Sequence, residues 1–274
     1  MKILVTGGTG FIGSHIIENL LKQKADLFVL GTSETKAKKF HWFNSVTFIE
    51  HDINNVLTPE ILYKIKNINK LIHLAWGNLN NFKDIDHIET ILYSHYRFLK
   101  SLIGNGITDL TISGTCLEYG LVEGAISINQ SPKPTVSYAI AKNSLRIFLL
   151  QLKKDIPFNL KWCRIFYLYG KGQSKKSILS QLEISVKNGE NLFNMSGGEQ
   201  IRDYSTVEDI ASQIVKISYL SEISKDFNCC SEQPIKLSDF INQQIFKNGY
   251  KIKLNLGYYN YNDYEPMAFW GLKE

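Results

Sequence analysis

Tyr138 and Lys142 stand four residues apart in Ser137-Tyr138-Ala139-Ile140-Ala141-Lys142, a spacing that places both on one face of a helix. A phenol with a pKa of about 10 is a poor acid or base at neutral pH, and a nearby ammonium lowers that value by stabilising the phenolate. The pair can therefore exchange a proton with a hydroxyl or carbonyl oxygen. Y-x-x-x-K is short, so a surface helix with an incidental tyrosine and lysine matches it too.

A second group of residues gives the pair a context. The run Lys2–Thr6 is followed at once by Gly7-Gly8-Thr9-Gly10-Phe11-Ile12-Gly13, with glycines spaced as in a dinucleotide-binding turn. Gly7 permits the tight reversal, Gly10 lets the backbone approach a pyrophosphate, and Gly13 lets helix and strand pack closely. The backbone around Phe11 and Ile12 then presents the positive end of a helix to the phosphates. A flavodoxin-like turn without a dinucleotide is the competing reading.

The second strand, Leu27–Leu30, ends in Gly31-Thr32-Ser33, without the acidic residue that would hold the adenosine ribose of NAD. No carboxylate repels a 2′-phosphate there, Thr32 and Ser33 can hydrogen-bond one, and Lys36 or Lys38 can supply charge. NADP(H) is favoured on this ground, with NAD(H) possible; the lysines also fit a solvated helix face. In His51-Asp52-Ile53, Asp52 reads either as an acceptor for the adenine amino group beside Ile53 or as a cap of the next turn.

Such residues need a scaffold that brings them together. The first two thirds of the chain alternate short apolar runs with amphipathic stretches, the pattern of parallel strands joined by helical crossovers. Strands are expected at Lys2–Thr6, Leu27–Leu30, Thr47–Glu50, Lys70–Ala75, Asp109–Ser113 and Asn159–Phe166. Helices are expected at Ile12–Lys24, Pro59–Lys66, Ile85–Ile103 and Tyr138–Lys154, then at Lys176–Asn188, Val207–Leu220 and Lys236–Lys247. The division is a dinucleotide-binding domain over residues 1–166 and, over 167–274, a mainly substrate-binding lobe that is not an independent domain.

Composition excludes several other classes. At 274 residues, 44% hydrophobic and 12% aromatic, the chain folds around a substantial core. The net charge of +5 is dispersed apart from Lys36, Lys38 and Lys39, so no nucleic-acid partner is expected. Cys116, Cys163, Cys229 and Cys230 show no metal-ligand spacing and read as reduced thiols. His73, His87 and His95 lack a convergent carboxylate set, so no metal is expected. No run reaches membrane-spanning length, and a cytoplasmic location with no membrane partner is expected.

Taken together, Gly7–Gly13, Tyr138/Lys142, His73-Leu74-Ala75 and Ser113-Gly114-Thr115-Cys116-Leu117-Glu118-Tyr119-Gly120 resemble the extended short-chain dehydrogenase/reductase family, also called the NAD-dependent epimerase/dehydratase family. Arg164–Gln173 and Arg202-Asp203-Tyr204 are similar to further stretches of it, so the resemblance covers nearly the whole chain. It implies an α/β fold, a Rossmann-type doubly wound parallel sheet with a smaller C-terminal α/β substrate lobe. It further implies catalysis by Thr115, Tyr138 and Lys142. Leu74, Ala75, Tyr138 and Lys142 would line the cofactor; Trp76, Thr115, Glu118, Tyr167 and Arg202 would face the substrate, Arg202 through its diphosphate.

Family dehydratases carry an Asp-Glu pair after the threonine, where this chain has Cys116-Leu117. The resemblance therefore implies reduction of a nucleotide-activated 4-keto-6-deoxy sugar in deoxyhexose and surface-polysaccharide biosynthesis, or alternatively 4-epimerisation of a nucleotide sugar with NAD. A non-catalytic NADP-sensing protein is disfavoured because Tyr138 and Lys142 are both present. Relatives dimerise through two helices per subunit, so a homodimer is expected through Ile85–Ile103 and Tyr138–Lys154, with Tyr93, Tyr96 and Phe98 on the outer face.

Overall fold

The computed structural model describes residues 1–221 and 223–273. Along the chain the strands are β1 (Lys2–Thr6), β2 (Asp26–Gly31), β3 (Thr47–Glu50), β4 (Lys70–His73), β5 (Asp109–Thr115), β6 (Gly124–Ile126), β7 (Asn159–Ile165), β8 (Tyr167–Tyr169), β9 (Leu192–Asn194), β10 (Ile201–Thr206), β11 (Lys225–Cys229), β12 (Pro234–Lys236), β13 (Lys253–Asn255) and β14 (Ala268–Gly271). The helices are α1 (Phe11–Lys22), α2 (Glu34–Ala37), α3 (Pro59–Ile65), α4 (Leu92–Gly104), α5 (Ser137–Leu152), α6 (Ile178–Lys187), α7 (Val207–Tyr219) and α8 (Leu237–Asn248).

Seven parallel strands form the main sheet in the order β11-β7-β5-β4-β1-β2-β3. Its strands are covered on both faces, which is why Ile3, Leu4 and Val5 form an unbroken apolar run with no exposure at all. Alternate residues of β1 serve opposite layers. Leu4 packs with Leu99 and Leu102 of α4 and Leu145 and Leu149 of α5. Ile3 and Val5 pack with Ile16, Ile17 and Leu20 of α1 and Ile210 and Ile214 of α7. Each such buried side chain contributes about 1.5–3 kcal/mol. The strand order reverses between β1 and β4, which opens a crevice at their carboxyl ends.

The doubly wound sheet agrees with the sequence reading, with three differences. The edge strand β11 and helix α7 come from beyond residue 166, so the body of the main sheet draws two elements from the later part of the chain. The helix expected over Ile85–Ile103 begins instead as a wider π-type turn at His87–Ile91 before α4. Phe98, expected on its outer face, is 3% exposed and belongs to the core.

Beside this body, β12, β10, β14 and β6 form a second sheet, with β8 paired to β10 and β13 to β9. Leu182, Phe193, Phe240 and Ile241 make its separate core. No helix among the described residues is long and apolar enough to cross a membrane.

Candidate active site

The crevice is a cleft of about 740 Å³ running from the β1–α1 turn to the second sheet. Gly7 lies at φ +75°, and a Cβ there would stand 2.7 Å from the Ala75 nitrogen, so the turn presses directly on the end of β4. A Cβ on Gly13 would stand 2.1 Å from the Gly7 carbonyl oxygen, which no side chain tolerates. Helices α2, α3, α6 and α7 are capped by the side chains of Ser33, Thr58, Ser177 and Thr206. Helix α1 begins at Gly10 with no side-chain cap, so its first amides remain open to the cleft.

At the end beside β2 and β3 the cleft is lined by Gly31, Thr32, Lys36, Asp52 and Ile53. Ser33, expected beside Thr32, instead caps α2, its oxygen accepting from the Lys36 amide at 3.1 Å. The Asp52 carboxylate also accepts from the Asn54 amide at 2.9 Å, the turn-capping role open to it from sequence. Leu74, Ala75 and Trp76 line the middle of the cleft.

Thr115, Tyr138 and Lys142 converge on the same cleft. Thr115 ends β5 and its oxygen accepts from the Leu117 amide at 3.3 Å. The Thr115 hydroxyl faces the Tyr138 phenol across the cleft lining and favours its ionised form. Lys142 Nζ donates to the Ser113 carbonyl at 2.8 Å. The sequence reading had an ammonium lowering the phenol's pKa. In the structure burial, then the charges of Glu118 and Cys116, push Tyr138 up, and burial pushes Lys142 down to about 7. The phenol is thus held protonated, a donor at neutral pH.

Glu118 corrects an expectation. It does not reach the cleft; it is fully buried, accepting from the Thr115 amide at 2.8 Å, from Trp162 Nε1 at 3.0 Å and from Arg164 Nε at 2.8 Å. Arg202 is 3% exposed and also absent from the cleft lining. It pairs with Glu265 at 3.4 Å and lies 5.2 Å over the Tyr167 ring. Tyr167 does line the cleft and donates to Glu265 at 3.0 Å.

Glu265, Phe82 and His95 line the cleft without having been singled out as site residues. Glu265 arrives because β14, just after it, pairs with β10, a contact with no local signature. His95 is neutral, since burial pushes its pKa down to about 3, and its ring lies 4.5 Å from that of Trp76. Among the described residues no group of His, Cys, Asp and Glu could hold a metal ion.

A doubly wound parallel sheet with an open helix terminus at its switch point and a tyrosine-lysine pair beside it defines the extended short-chain dehydrogenase/reductase class. The model of the NAD dependent epimerase/dehydratase family matches residues 3–230, and the chain belongs to that family. It is 28% identical, over the full length of both chains, to a dTDP-6-deoxy-L-talose 4-dehydrogenase (NAD(+)) of Aggregatibacter actinomycetemcomitans. It is 26% identical over 89% of its length, and 81% of the relative's, to a dTDP-4-dehydro-6-deoxyglucose reductase of Escherichia coli. Among solved structures, a UDP-glucuronic acid 4-epimerase of Bacillus cereus in complex with UDP-glucuronic acid and NAD superposes with a TM-score of 0.85 at 21% identity, covering 100% of this chain and 90% of that one.

Proposed function

We propose that this protein transfers hydride between a nicotinamide dinucleotide and C4 of a nucleotide-activated 6-deoxy sugar, working as a 4-ketoreductase. The observation that carries the reading is the convergence of Thr115, Tyr138 and Lys142 on one cleft, with Cys116 and Leu117 following the threonine in place of a second acid-base pair. Such a site can move one proton at a sugar oxygen; it has no Asp-Glu pair directly after the threonine to eliminate water, and the Glu118 carboxylate is buried away from the cleft. The two relatives named for 4-dehydrogenation and reduction of dTDP sugars support the same chemistry.

The residues fit the dinucleotide that the family implies: open α1 amides for a pyrophosphate, and a turn that no Cβ could share. Bound there, the nicotinamide supplies the hydride acceptor or donor. Thr115 orients the substrate oxygen, Tyr138 exchanges the proton, and Lys142 holds the nicotinamide ribose and re-protonates the site. For the adenosine end we propose NADP(H), because Gly31 presents no carboxylate and Thr32 and Lys36 line the cleft beside it. NAD(H) is the alternative, favoured by the NAD(+) for which the talose dehydrogenase is named. Tyr167 and Trp76 line the cleft and would contact the sugar, and Arg202 would reach its diphosphate only by parting from Glu265.

A second reading, NAD-dependent 4-epimerisation of a nucleotide sugar, draws support from relatives named UDP-glucose 4-epimerase. Mixing the protein with NADPH or NADH and a panel of nucleotide 4-keto-6-deoxy sugars, and following absorbance at 340 nm, separates the two. We further propose a homodimer built on α4 and α5, where Tyr93, Ile147, Phe148 and Leu150 are exposed.

A further inference from the structure

We propose that Glu118 is the positioning residue of the site: its carboxylate fixes the main chain of Thr115 and, through Arg164, Asp226 and Arg146, ties the threonine to the helix that carries Tyr138 and Lys142. The inference rests on the catalytic reading above. Glu118 sits in the short helical turn that follows β5 and is without exposure. The Thr115 oxygen caps that turn and the Glu118 carboxylate reaches back to the Thr115 amide, a reciprocal capping box that holds the threonine's backbone and side chain together.

A capping box on the surface needs only a carboxylate and water. This one has been taken into the core, where an unpaired carboxylate would be far too costly, and it is met by three further donor contacts. Trp162 Nε1 reaches both of its oxygens at 3.0 Å, and Arg164 Nε reaches Oε2 at 2.8 Å. Both partners belong to β7, next to β5 in the sheet. The guanidinium of Arg164 turns its other edge to Asp226 of β11 at 3.0 Å, and Asp226 pairs with Arg146 at 2.7 Å. Arg146 is one helical turn beyond Lys142 on α5. One chain of charge-assisted bonds thus runs from Thr115, across three strands, to the helix of the tyrosine and lysine. The same carboxylate acts on the reacting groups at a distance, its charge raising the Tyr138 pKa and opposing the fall of Lys142.

The test uses Glu118→Gln, Arg146→Ala and Arg146→Lys in the full chain, with melting temperature, NADH affinity, kcat and KM on the sugar that the wild-type protein turns over. Arg146 is partly exposed, so its variants should fold even if Glu118→Gln does not. The expected result is a kcat at least ten-fold lower in Glu118→Gln and several-fold lower in Arg146→Ala, with KM and NADH affinity within about three-fold and recovery in Arg146→Lys. Wild-type kcat in folded Glu118→Gln, or in Arg146→Ala, would overturn the proposal. A substrate-free readout separates this from failure of the catalytic reading: hydrogen exchange of the Thr115 amide, which the Glu118 carboxylate holds, should be at least ten-fold faster in Glu118→Gln. Unchanged exchange would overturn the proposal even where no sugar in the panel reacts.

Discussion

The Lys142 ammonium lies 4.1 Å over the centre of the Trp76 ring, both lining the cleft. Burial lowers its pKa to about 7 against the ordinary 10.5, and Glu118 opposes the fall. Between those values the unfolded chain holds a proton that the folded protein releases. Stability from this group is therefore fully present above about pH 10.5 and lost as pH falls towards 7, a cost on the order of a few kcal/mol. Denaturant midpoints should rise between pH 7 and 9.5, and the rise should shrink in Lys142→Met; equal slopes in the two proteins would show that Lys142 keeps its ordinary pKa.

Tyr138→Phe removes the proton donor while leaving the ring among Phe82, Trp76 and His87. Turnover should fall by roughly 10²- to 10⁴-fold with dinucleotide affinity, read from tryptophan fluorescence, within about three-fold. Near-normal turnover would remove Tyr138 from its role.

Gly13→Ala places a methyl 2.1 Å from the Gly7 oxygen, so the turn must open. Dinucleotide affinity should drop by more than ten-fold. Gly104→Ala, where a Cβ would meet nothing within 4 Å, is the matched control and should be neutral or slightly stabilising. Comparable losses in both would mean that the cofactor does not use this turn.

The parts of the site legible in the sequence are those whose constraint is local. The spacing of Gly7, Gly10 and Gly13 expresses backbone packing within one turn, and Tyr138 and Lys142 share a helix face. Glu118 was visible as a residue and misplaced as a contact, because its partners Trp162 and Arg164 lie more than forty positions away and only the β5–β7 pairing brings them near. Glu265 had no signal, since the pairing of β14 with β10 decides its position. The edge strand β11 was missed for a related reason: Lys225-Asp226-Phe227-Asn228-Cys229 is too polar to read as a central strand, and its Asp226 and Asn228 are paired inside the protein.

Gly31→Asp supplies the carboxylate missing at the end of β2. Preference for NADP over NAD should shift toward NAD by about ten-fold or more. An unchanged ratio would place the 2′-phosphate determinant elsewhere.

Phe148→Lys puts a charge on the exposed face of α5, where the Tyr96 and Phe148 rings lie 5.5 Å apart. Sedimentation of the wild-type protein at micromolar concentration should give a dimer and of the variant a monomer. A wild-type monomer would exclude the α4–α5 interface.

The most direct test follows absorbance at 340 nm while the purified protein meets NADPH or NADH and a panel of nucleotide 4-keto-6-deoxy sugars. A 4-ketoreductase oxidises the reduced cofactor stoichiometrically with at least one of them. Interconversion of ordinary nucleotide hexoses without added cofactor, and no oxidation of NADPH or NADH, would contradict that reading and assign the site to epimerisation.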